Sequence, residues 1–184
     1  MPTFPLHDLE SAPAEARPRL EAAQQKMGFL PHIFAKMAEA PPLLEAYLSL
    51  DEIYARTSLN PAEQQVALLA ISAANGCAFC VAAHSGGAAK AQVSREEIAR
   101  LRDLGTPNDP RLAAVARFAR HLNEQRGWAA PEEMDAFLAA GFNRGQILEL
   151  VIACALKTLS NYTNHLVDTP LNEELAPLAW QPPR

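Results

Sequence analysis

Apolar residues recur along most of this chain at intervals of three and four, which is the period of an α-helix. Leu112, Val115, Phe118 and Leu122, for example, fall on one face of such a helix. No run of strand length alternates between apolar and polar residues, and the Asn-Gly pair at 75–76 is not flanked by strands. The pattern therefore predicts an all-α fold.

Prolines mark where several of these helices begin. Pro61, Pro110 and Pro131 each open an apolar pattern at its first turn, where a missing backbone N–H costs nothing. Asn60 and Asp109 come directly before two of these prolines and are good N-caps. With the glycine stops, these signals predict helices at about 17–27, a short one ending before 41, 43–56, 61–74, 77–91, 95–104, 110–126, 131–140 and 147–166.

Two of the predicted helices carry too few polar residues to lie at the surface. Residues 66–74 are apolar nearly all round, and residues 147–156 are apolar over most of the circumference. The second is therefore expected at the centre of the molecule or at a subunit interface. Ahead of the first, Asn60 and Glu63 have the spacing of a capping box, so Glu63 is predicted to be a structural cap.

At 184 residues the chain can bury a substantial core, and it contains no internal repeat. We predict a single domain over residues 1–184, with an N-terminal helical arm at 1–57, a core at 58–168 and a C-terminal tail at 169–184. The first 17 residues are rich in Pro and Ala and are expected to lie on the surface. The tail contains Pro and Trp and is expected to wrap a neighbour.

Charge and cysteine content narrow the classes of function. The net charge is -5 and no basic run occurs, which argues against a nucleic acid or an anionic membrane as partner. The most apolar stretch, 147–156, contains Glu149 and is too short to span a bilayer. Three cysteines do not make a secreted disulfide framework, and no signal-peptide pattern opens the chain. We predict a cytoplasmic protein without a cofactor or a resident metal.

The stretch 75–84 holds the main candidate for chemistry. Asn75-Gly76 is expected to end one helix, and Cys77, Cys80 and His84 follow at offsets that place them within about 60° of arc on the next. Free backbone N–H groups at a helix start favour an anion such as a thiolate. A dithiol at that position, with a histidine one turn further on, indicates a redox pair.

Gln65 is the polar exception on the apolar helix before this motif. Its distance from the turn, about 15 Å, is close to the 12 Å or so that separates His84 from the turn in the next helix. If the two helices form an antiparallel hairpin, Gln65 and His84 face each other. We predict that Gln65 orients His84, and that His84 manages the proton of the thiols.

Residues 60–84, with a helix, an Asn-Gly turn and C-x-x-C-x-x-x-H, resemble the alkylhydroperoxidase D-like branch of the carboxymuconolactone decarboxylase family. Residues 28–34 and 161–165 also resemble the peroxidase-related proteins of that branch. The resemblance implies an alkylhydroperoxidase D-like helical bundle that forms homo-oligomers, often trimers or hexamers.

The same resemblance implies a thiol peroxidase or disulfide reductase. Cys80 would be the peroxidatic thiol, Cys77 the resolving thiol, and His84 part of a proton relay. The implied partners are a small alkyl hydroperoxide as substrate, and a dithiol or disulfide reductase as electron donor.

Two positions depart from the family pattern. Gln65 stands where the family has a relay glutamate, and an amide can accept a hydrogen bond from His84 but cannot take up a proton. Activation of Cys80 is therefore expected to be weaker than in members with glutamate. Phe79 stands where better-known members have a histidine, which suggests a drier site that faces a hydrophobic substrate.

Three other functions are open on the sequence. Cys77, Cys80 and His84 could bind zinc with His165 or Asp168 as a fourth ligand. A non-redox reaction such as lactone decarboxylation is a second alternative, although the family's decarboxylases generally lack the paired cysteines. An interaction module with vestigial cysteines is the third.

Two further residues that could take part in chemistry have simpler explanations. Cys154 is expected to be packed in the core. His121 is expected to be solvated or to lie at the rim of a helix face.

Overall fold

The computed structural model describes residues 3–183, and within them the fold is all-helical. In chain order the helices are α1 (Arg17–Met27), α2 (His32–Met37), α3 (Pro41–Tyr54), α4 (Pro61–Ala74), α5 (Ala78–Lys90), α6 (Arg95–Arg102), α7 (Pro110–Glu124), α8 (Pro131–Ala139) and α9 (Arg144–Val167), followed by a 3₁₀ helix at Glu173–Leu178. The predicted bounds hold to within three residues. The largest difference is at α9, where the helix begins directly after its cap at Asn143 rather than at Ile147.

Helix α4 lies at the centre of the bundle and packs against α5, α6, α7 and α9. Its residues from Glu63 to Ala73 are buried except for Gln65, which is half-buried. The apolar residues around the whole circumference of α4 are therefore covered by neighbouring helices. Gln65, the one half-buried residue in this run, faces the candidate site.

The predicted capping box at the start of α4 is confirmed. Asn60 Oδ1 accepts from the Glu63 backbone N–H at 3.0 Å, and Glu63 Oε2 accepts from the Asn60 N–H at 2.9 Å. The other carboxylate oxygen of Glu63 accepts from Arg111 Nη2 at 2.8 Å. Because both oxygens are engaged at the helix start, Glu63 is a structural residue and does not take the place of a relay acid.

Helices α4 and α5 form the predicted hairpin around Asn75 and Gly76. Asn75 caps the end of α4, and Gly76 follows with φ of 68°, a left-handed conformation that glycine adopts without strain. Helix α5 begins one residue later than expected, because Cys77 is its N-cap rather than its first helical residue. The turn places both cysteines at the N-terminal end of α5, where α9 passes.

The C-terminal tail, which was expected to wrap a neighbour, packs in its described part on its own chain. Its 3₁₀ helix contacts α5, and Arg102 of α6 donates to the carbonyl oxygens of Leu178 and Ala179 at 3.0 and 2.8 Å. The indole N–H of Trp180 donates back to the Arg102 carbonyl at 3.1 Å. The tail thereby covers the face of α5 that carries the candidate site.

The N-terminal arm is only partly a surface segment. Residues 3–6 are exposed, whereas Ala12 and Ala16 are buried in the core. The first two residues of the predicted arm lie outside the described part of the chain. No single helix in residues 3–183 has the length and apolar composition to cross a membrane, although α8 and α9 pass that test together across a bend of 115°.

Candidate functional site

The sulfurs of Cys77 and Cys80 lie side by side under helix α9. One amide nitrogen, Asn164 Nδ2, lies 3.2 Å from Cys80 Sγ and 3.5 Å from Cys77 Sγ. Ser160 Oγ lies 3.7 Å from Cys80 Sγ. Both cysteines are free thiols, and both are almost completely buried, with exposed fractions of 1% and 3%. The pair is therefore positioned to form a disulfide, and α9 supplies polar contacts to it.

The two thiols are not equivalent in acidity. A hydrogen bond donated by the Cys77 thiol lowers the pKa of Cys80, and the positive charge of Lys157 lowers it further. The same hydrogen bond, together with burial, raises the pKa of Cys77, since Cys77 must keep its proton to donate it. The arrangement therefore favours a thiolate at Cys80 and a thiol at Cys77.

His84 contacts Gln65, as the hairpin geometry predicts. The Nδ1–H of His84 donates to Gln65 Oε1 at 3.1 Å, and His84 Nε2 accepts from Lys157 Nζ at 2.5 Å. Burial lowers the pKa of His84 well below its usual value, and the neighbouring Lys157 lowers it further. The imidazole is therefore neutral at pH 7, with its proton on Nδ1.

The predicted role of His84 in managing the proton of the thiols stays a prediction. Within the described part of the chain, both ring nitrogens of His84 are taken up by Gln65 and Lys157, and neither contacts a sulfur. Lys157 lies next to the imidazole and acts electrostatically on both cysteines. His84 is therefore in contact with a residue whose charge acts on the sulfurs.

Sequence reasoning missed the contribution of α9 to the site. Lys157, Ser160, Asn161 and Asn164 are buried, and their spacing of three, four and seven residues places them on one helix face. That spacing could have been recognised in the sequence, because it predicts a polar stripe along a helix whose first half is apolar. A buried polar stripe requires partners, and here those partners include the cysteines and His84.

The Gln65–His84 contact depends on a glycine on α5. A Cβ placed on Gly87 would overlap Gln65 Oε1 and would lie 2.8 Å from Gln65 Cδ. A Cβ on the preceding Gly86 would meet only the flexible end of Leu178, at 3.2 Å. Gly87 is therefore the residue that makes room for the Gln65 amide.

We expect Gly87→Ala to displace Gln65 and to destabilise the fold by about 1–3 kcal/mol, the usual cost of overpacking. The matched control is Gly86→Ala, since both substitutions gain the same helix propensity and differ in the atoms that they meet. Thermal unfolding measures the difference, and NMR of the His84 ring nitrogens reports loss of the bond to Gln65. Equal melting temperatures with an unchanged His84 spectrum would contradict this account.

Cys80, His84, Gln65 and Lys157 line a common cavity of about 400 Å³. The rest of its wall is mainly apolar and includes Phe29, Ile33, Phe34, Tyr47, Phe79, Leu175 and Leu178. Phe79, at an exposed fraction of 6%, lies on this wall, in keeping with the dry site that its apolar side chain suggested. Cys80 rather than Cys77 faces this space.

The residues proposed to complete a zinc site lie elsewhere. His165 and Asp168 are exposed at the end of α9 and are not part of the cavity wall. Within residues 3–183, no group of three or more His, Cys, Asp or Glu side chains is arranged to hold a metal ion. The site is better described as a thiol pair with a lysine and a neutral histidine.

The other two candidate residues have structural surroundings. Burial raises the pKa of Cys154 to about 11, as expected for a thiol packed against the core. His121 is half-buried, and its Nε2 accepts from the Ala130 backbone N–H at 3.1 Å, so it joins α7 to the loop before α8 rather than being free in solvent.

Comparison with known proteins finds a family whose sequence model matches part of the chain. Residues 41–121 match the sequence model of the carboxymuconolactone decarboxylase family. The matched range runs from the start of α3 into α7 and contains the whole of residues 60–84, so the resemblance predicted from that segment is confirmed. No curated protein matches the chain.

Solved structures share nearly the whole fold. The alkylhydroperoxidase AhpD core of a peroxidase-related protein from Ralstonia eutropha JMP134 has a TM-score of 0.84 at 23% identity, over 94% of this chain and 93% of that one. A peroxidase-related protein from Silicibacter sp. TM1040 has a TM-score of 0.79 at 18% identity, over 94% and 91%.

A third similar structure is a variant of the debrominase Bmp8 in complex with 2,3,4-tribromopyrrole. It has a TM-score of 0.76 at 19% identity, over 97% of this chain and 95% of that one. At identities this low, the likenesses establish the fold, and the predicted alkylhydroperoxidase D-like helical bundle is confirmed.

Proposed function

We propose that this protein, whose central segment matches the carboxymuconolactone decarboxylase family, is a thiol-dependent peroxidase. Its substrate would be an alkyl hydroperoxide, and Cys77 and Cys80 would be its redox pair. The observation that carries the proposal is the placement of an acidified Cys80 on the wall of an apolar cavity with the Cys77 thiol beside it. Nucleophilic attack by sulfur requires such a thiolate and an accessible substrate space.

In the first step the Cys80 thiolate attacks the terminal oxygen of the hydroperoxide. A sulfur–oxygen bond forms, the oxygen–oxygen bond breaks, and the alkoxide leaves with a proton to give an alcohol. Sulfur loses two electrons, and the peroxide gains them. The buried Lys157 ammonium lines the same cavity as Cys80 and would donate to the leaving oxygen.

In the second step Cys77 attacks the sulfenic acid on Cys80. A disulfide bond forms, the sulfur–oxygen bond breaks, and hydroxide leaves with the proton of Cys77 as water. A dithiol partner then reduces the disulfide by two thiol–disulfide exchanges, which returns both thiols and oxidises the partner. The adjacent sulfurs under Asn164 support this step, because little rearrangement is needed to bring them into bonding distance.

The wall of the cavity supports an organic hydroperoxide over hydrogen peroxide. Phe29, Phe34, Phe79 and Leu178 offer an apolar surface that a small polar peroxide does not need. Burial of an alkyl or aryl group against such side chains contributes roughly 25 cal/mol per Å² of apolar area. We therefore expect cumene hydroperoxide to react with a higher kcat/KM than hydrogen peroxide.

The proposal is tested by counting thiols in the protein before and after one equivalent of cumene hydroperoxide. We expect the loss of two of the three thiols, with a disulfide between Cys77 and Cys80 in the peptide map and Cys154 unchanged. A dithiol such as dithiothreitol should restore both. Retention of all three thiols in the treated protein would contradict the redox function and favour a decarboxylase-like reaction or an interaction module.

A second candidate function is reductive dehalogenation of a haloaromatic compound by the same thiol pair. It is favoured by the fold shared with the debrominase Bmp8 and by the aromatic side chains that line the cavity. In this reaction a carbon–bromine bond breaks, a carbon–hydrogen bond forms, bromide leaves, and the two thiols become a disulfide. Bromide release from 2,3,4-tribromopyrrole, measured beside the consumption of cumene hydroperoxide, separates the two functions.

The predicted homo-oligomer and the cytoplasmic location stay predictions. Leu148, Val151, Tyr162 and Leu166 of α9 are exposed apolar side chains, which supports burial of this helix face against another copy. Light scattering of the purified protein gives the subunit number directly.

A further inference from the structure

Lys157 is a buried cation without a carboxylate partner. Its exposed fraction is 1%, and none of the ion pairs found in residues 3–183 includes it. The contact that it makes is with a neutral acceptor, His84 Nε2. Because a charge removed from water is costly unless an opposite charge compensates it, Lys157 requires an anion nearby.

We propose that Lys157 is the cationic partner of the Cys80 thiolate, and that His84 is the neutral acceptor that holds the ammonium group in place. This inference rests on the proposed redox function of the cysteine pair and assigns a positioning residue to it. Lys157 acts on the reaction through the charge of Cys80.

The register of α9 supports this assignment. Ser160 and Asn164 follow Lys157 by three and seven residues, and both contact the Cys80 sulfur. The same helix face therefore presents a hydroxyl, an amide and an ammonium group to one side of α5. Lys157 and Cys80 also line the same cavity, and the positive charge of Lys157 lowers the pKa of Cys80.

Other titratable groups around Lys157 are weaker candidates for its anion. From α3, Asp51 faces the cavity, and burial raises the pKa of that carboxyl more than the charge of Lys157 lowers it. Tyr47 holds its proton because burial raises its pKa strongly. From α5, Cys77 keeps its proton because its pKa is raised, and Lys90 is a cation. Glu174 lies in the exposed 3₁₀ helix. The cavity walls from α2 and α4 add no titratable side chain.

A glutamine at position 65 is consistent with Lys157 as the cationic partner of Cys80. Gln65 accepts from His84 Nδ1–H without favouring a second proton on the ring, so Nε2 keeps its lone pair for Lys157. A carboxylate at position 65 would stabilise an imidazolium, which would place two cations in contact. The departure from the family's glutamate is therefore explained by the lysine that faces the same histidine.

The test compares the acidity of Cys80 in Lys157→Met, Lys157→Arg and His84→Asn variants of the full chain. Alkylation of Cys80 by iodoacetamide is followed against pH, with the modified peptide quantified by mass spectrometry, so that the other two thiols do not interfere. We expect Lys157→Met to raise the apparent pKa of Cys80 by about one unit or more. Lys157→Arg should restore it to within about half a unit, since the charge is kept.

His84→Asn separates this proposal from a histidine relay. We expect it to move the acidity of Cys80 by less than half of the Lys157→Met shift, because the ammonium charge stays. A shift as large as that of Lys157→Met, or no shift in either variant, would overturn the proposal. Should Lys157→Met fail to fold, ¹⁵N NMR of His84 in the unmodified protein decides: an imidazolium at pH 7 overturns the proposal, and a neutral Nδ1–H ring supports it.

The outcome is independent of the peroxidase proposal, because alkylation requires no peroxide. Turnover of cumene hydroperoxide by the same preparations is measured separately. If the protein consumes peroxide normally but the pKa of Cys80 does not change in Lys157→Met, the proposed function stands and this inference is overturned. If the pKa of Cys80 rises in Lys157→Met but the unmodified protein consumes no peroxide, this inference stands and the proposed function is overturned.

Discussion

Replacement of Cys80 by serine is expected to reduce hydroperoxide consumption to the uncatalysed rate. A hydroxyl is a far weaker nucleophile than a thiolate, and no other cysteine lines the cavity in the part of the chain that the structure describes. Cys77 cannot substitute, because it is buried away from the cavity wall and burial keeps its pKa raised after Cys80 is replaced. Stopped-flow consumption of cumene hydroperoxide with an excess of dithiol measures the loss.

The Cys77→Ser variant tests the second step, in which the disulfide forms. It leaves the attacking sulfur in place, so we expect one rapid turnover followed by a stall at the Cys80 sulfenic acid. Dimedone trapping and a mass increase localised to Cys80 identify that state. The control is Cys154→Ser, which should turn over normally, since Cys154 lies outside the cavity and burial raises its pKa to about 11. A single turnover in the Cys80 variant instead would exchange the roles of the two cysteines.

Most of the helical framework follows from local sequence signals. The bounds of α4 and α7 follow from Asn60-Pro61 and Asp109-Pro110, because caps and prolines act within one turn of the chain. The α4–α5 hairpin follows from Asn75-Gly76 for the same reason. From that hairpin, the Gln65–His84 contact could be inferred by counting residues on each side of a short turn.

The part of the site on α9 could not be placed in the same way. Lys157 and Asn164 lie more than seventy residues from the cysteines in sequence, and their position against α5 is set by tertiary packing of α9 across α4. The sequence shows that this helix carries a buried polar stripe. It does not show which of its neighbours the stripe meets.

The same limit applies to the docking of the tail. Pro and Trp in a terminal segment indicate an extended, partly apolar chain that needs a surface to cover. Arg102 provides that surface within the same subunit, by binding the carbonyl oxygens of Leu178 and Ala179. The composition of the segment predicts that it docks, but the docking surface is a property of the folded chain.

Asn164 provides the second large expected effect. Its Nδ2 contacts both sulfurs, and its exposed fraction is 6%. An N–H donor at that distance stabilises a thiolate on Cys80, whereas a carboxylate oxygen in the same place would repel it. Asn164→Asp replaces the N–H donor with a carboxylate oxygen and hardly changes the shape of the side chain.

We expect Asn164→Asp to raise the pH midpoint of the peroxide reaction by about two units, or about 2.7 kcal/mol. At a pH below both midpoints, the rate should then be about a hundredfold lower than in the unmodified protein, and it should recover as the pH rises, because the thiolate re-forms. The measurement is the second-order rate constant for cumene hydroperoxide between pH 5 and 10.

Asn164→Leu is the matched control, since it removes the donor without adding a charge. We expect a loss of about tenfold, in the range of one hydrogen bond to a charged group. The difference between the two variants isolates the electrostatic effect on Cys80 from the packing of α9. Rates equal to that of the unmodified protein at every pH in both variants would show that Asn164 only fills space beside the sulfurs, and the thiolate would then have to be stabilised by Lys157 and the N-terminal end of α5 alone.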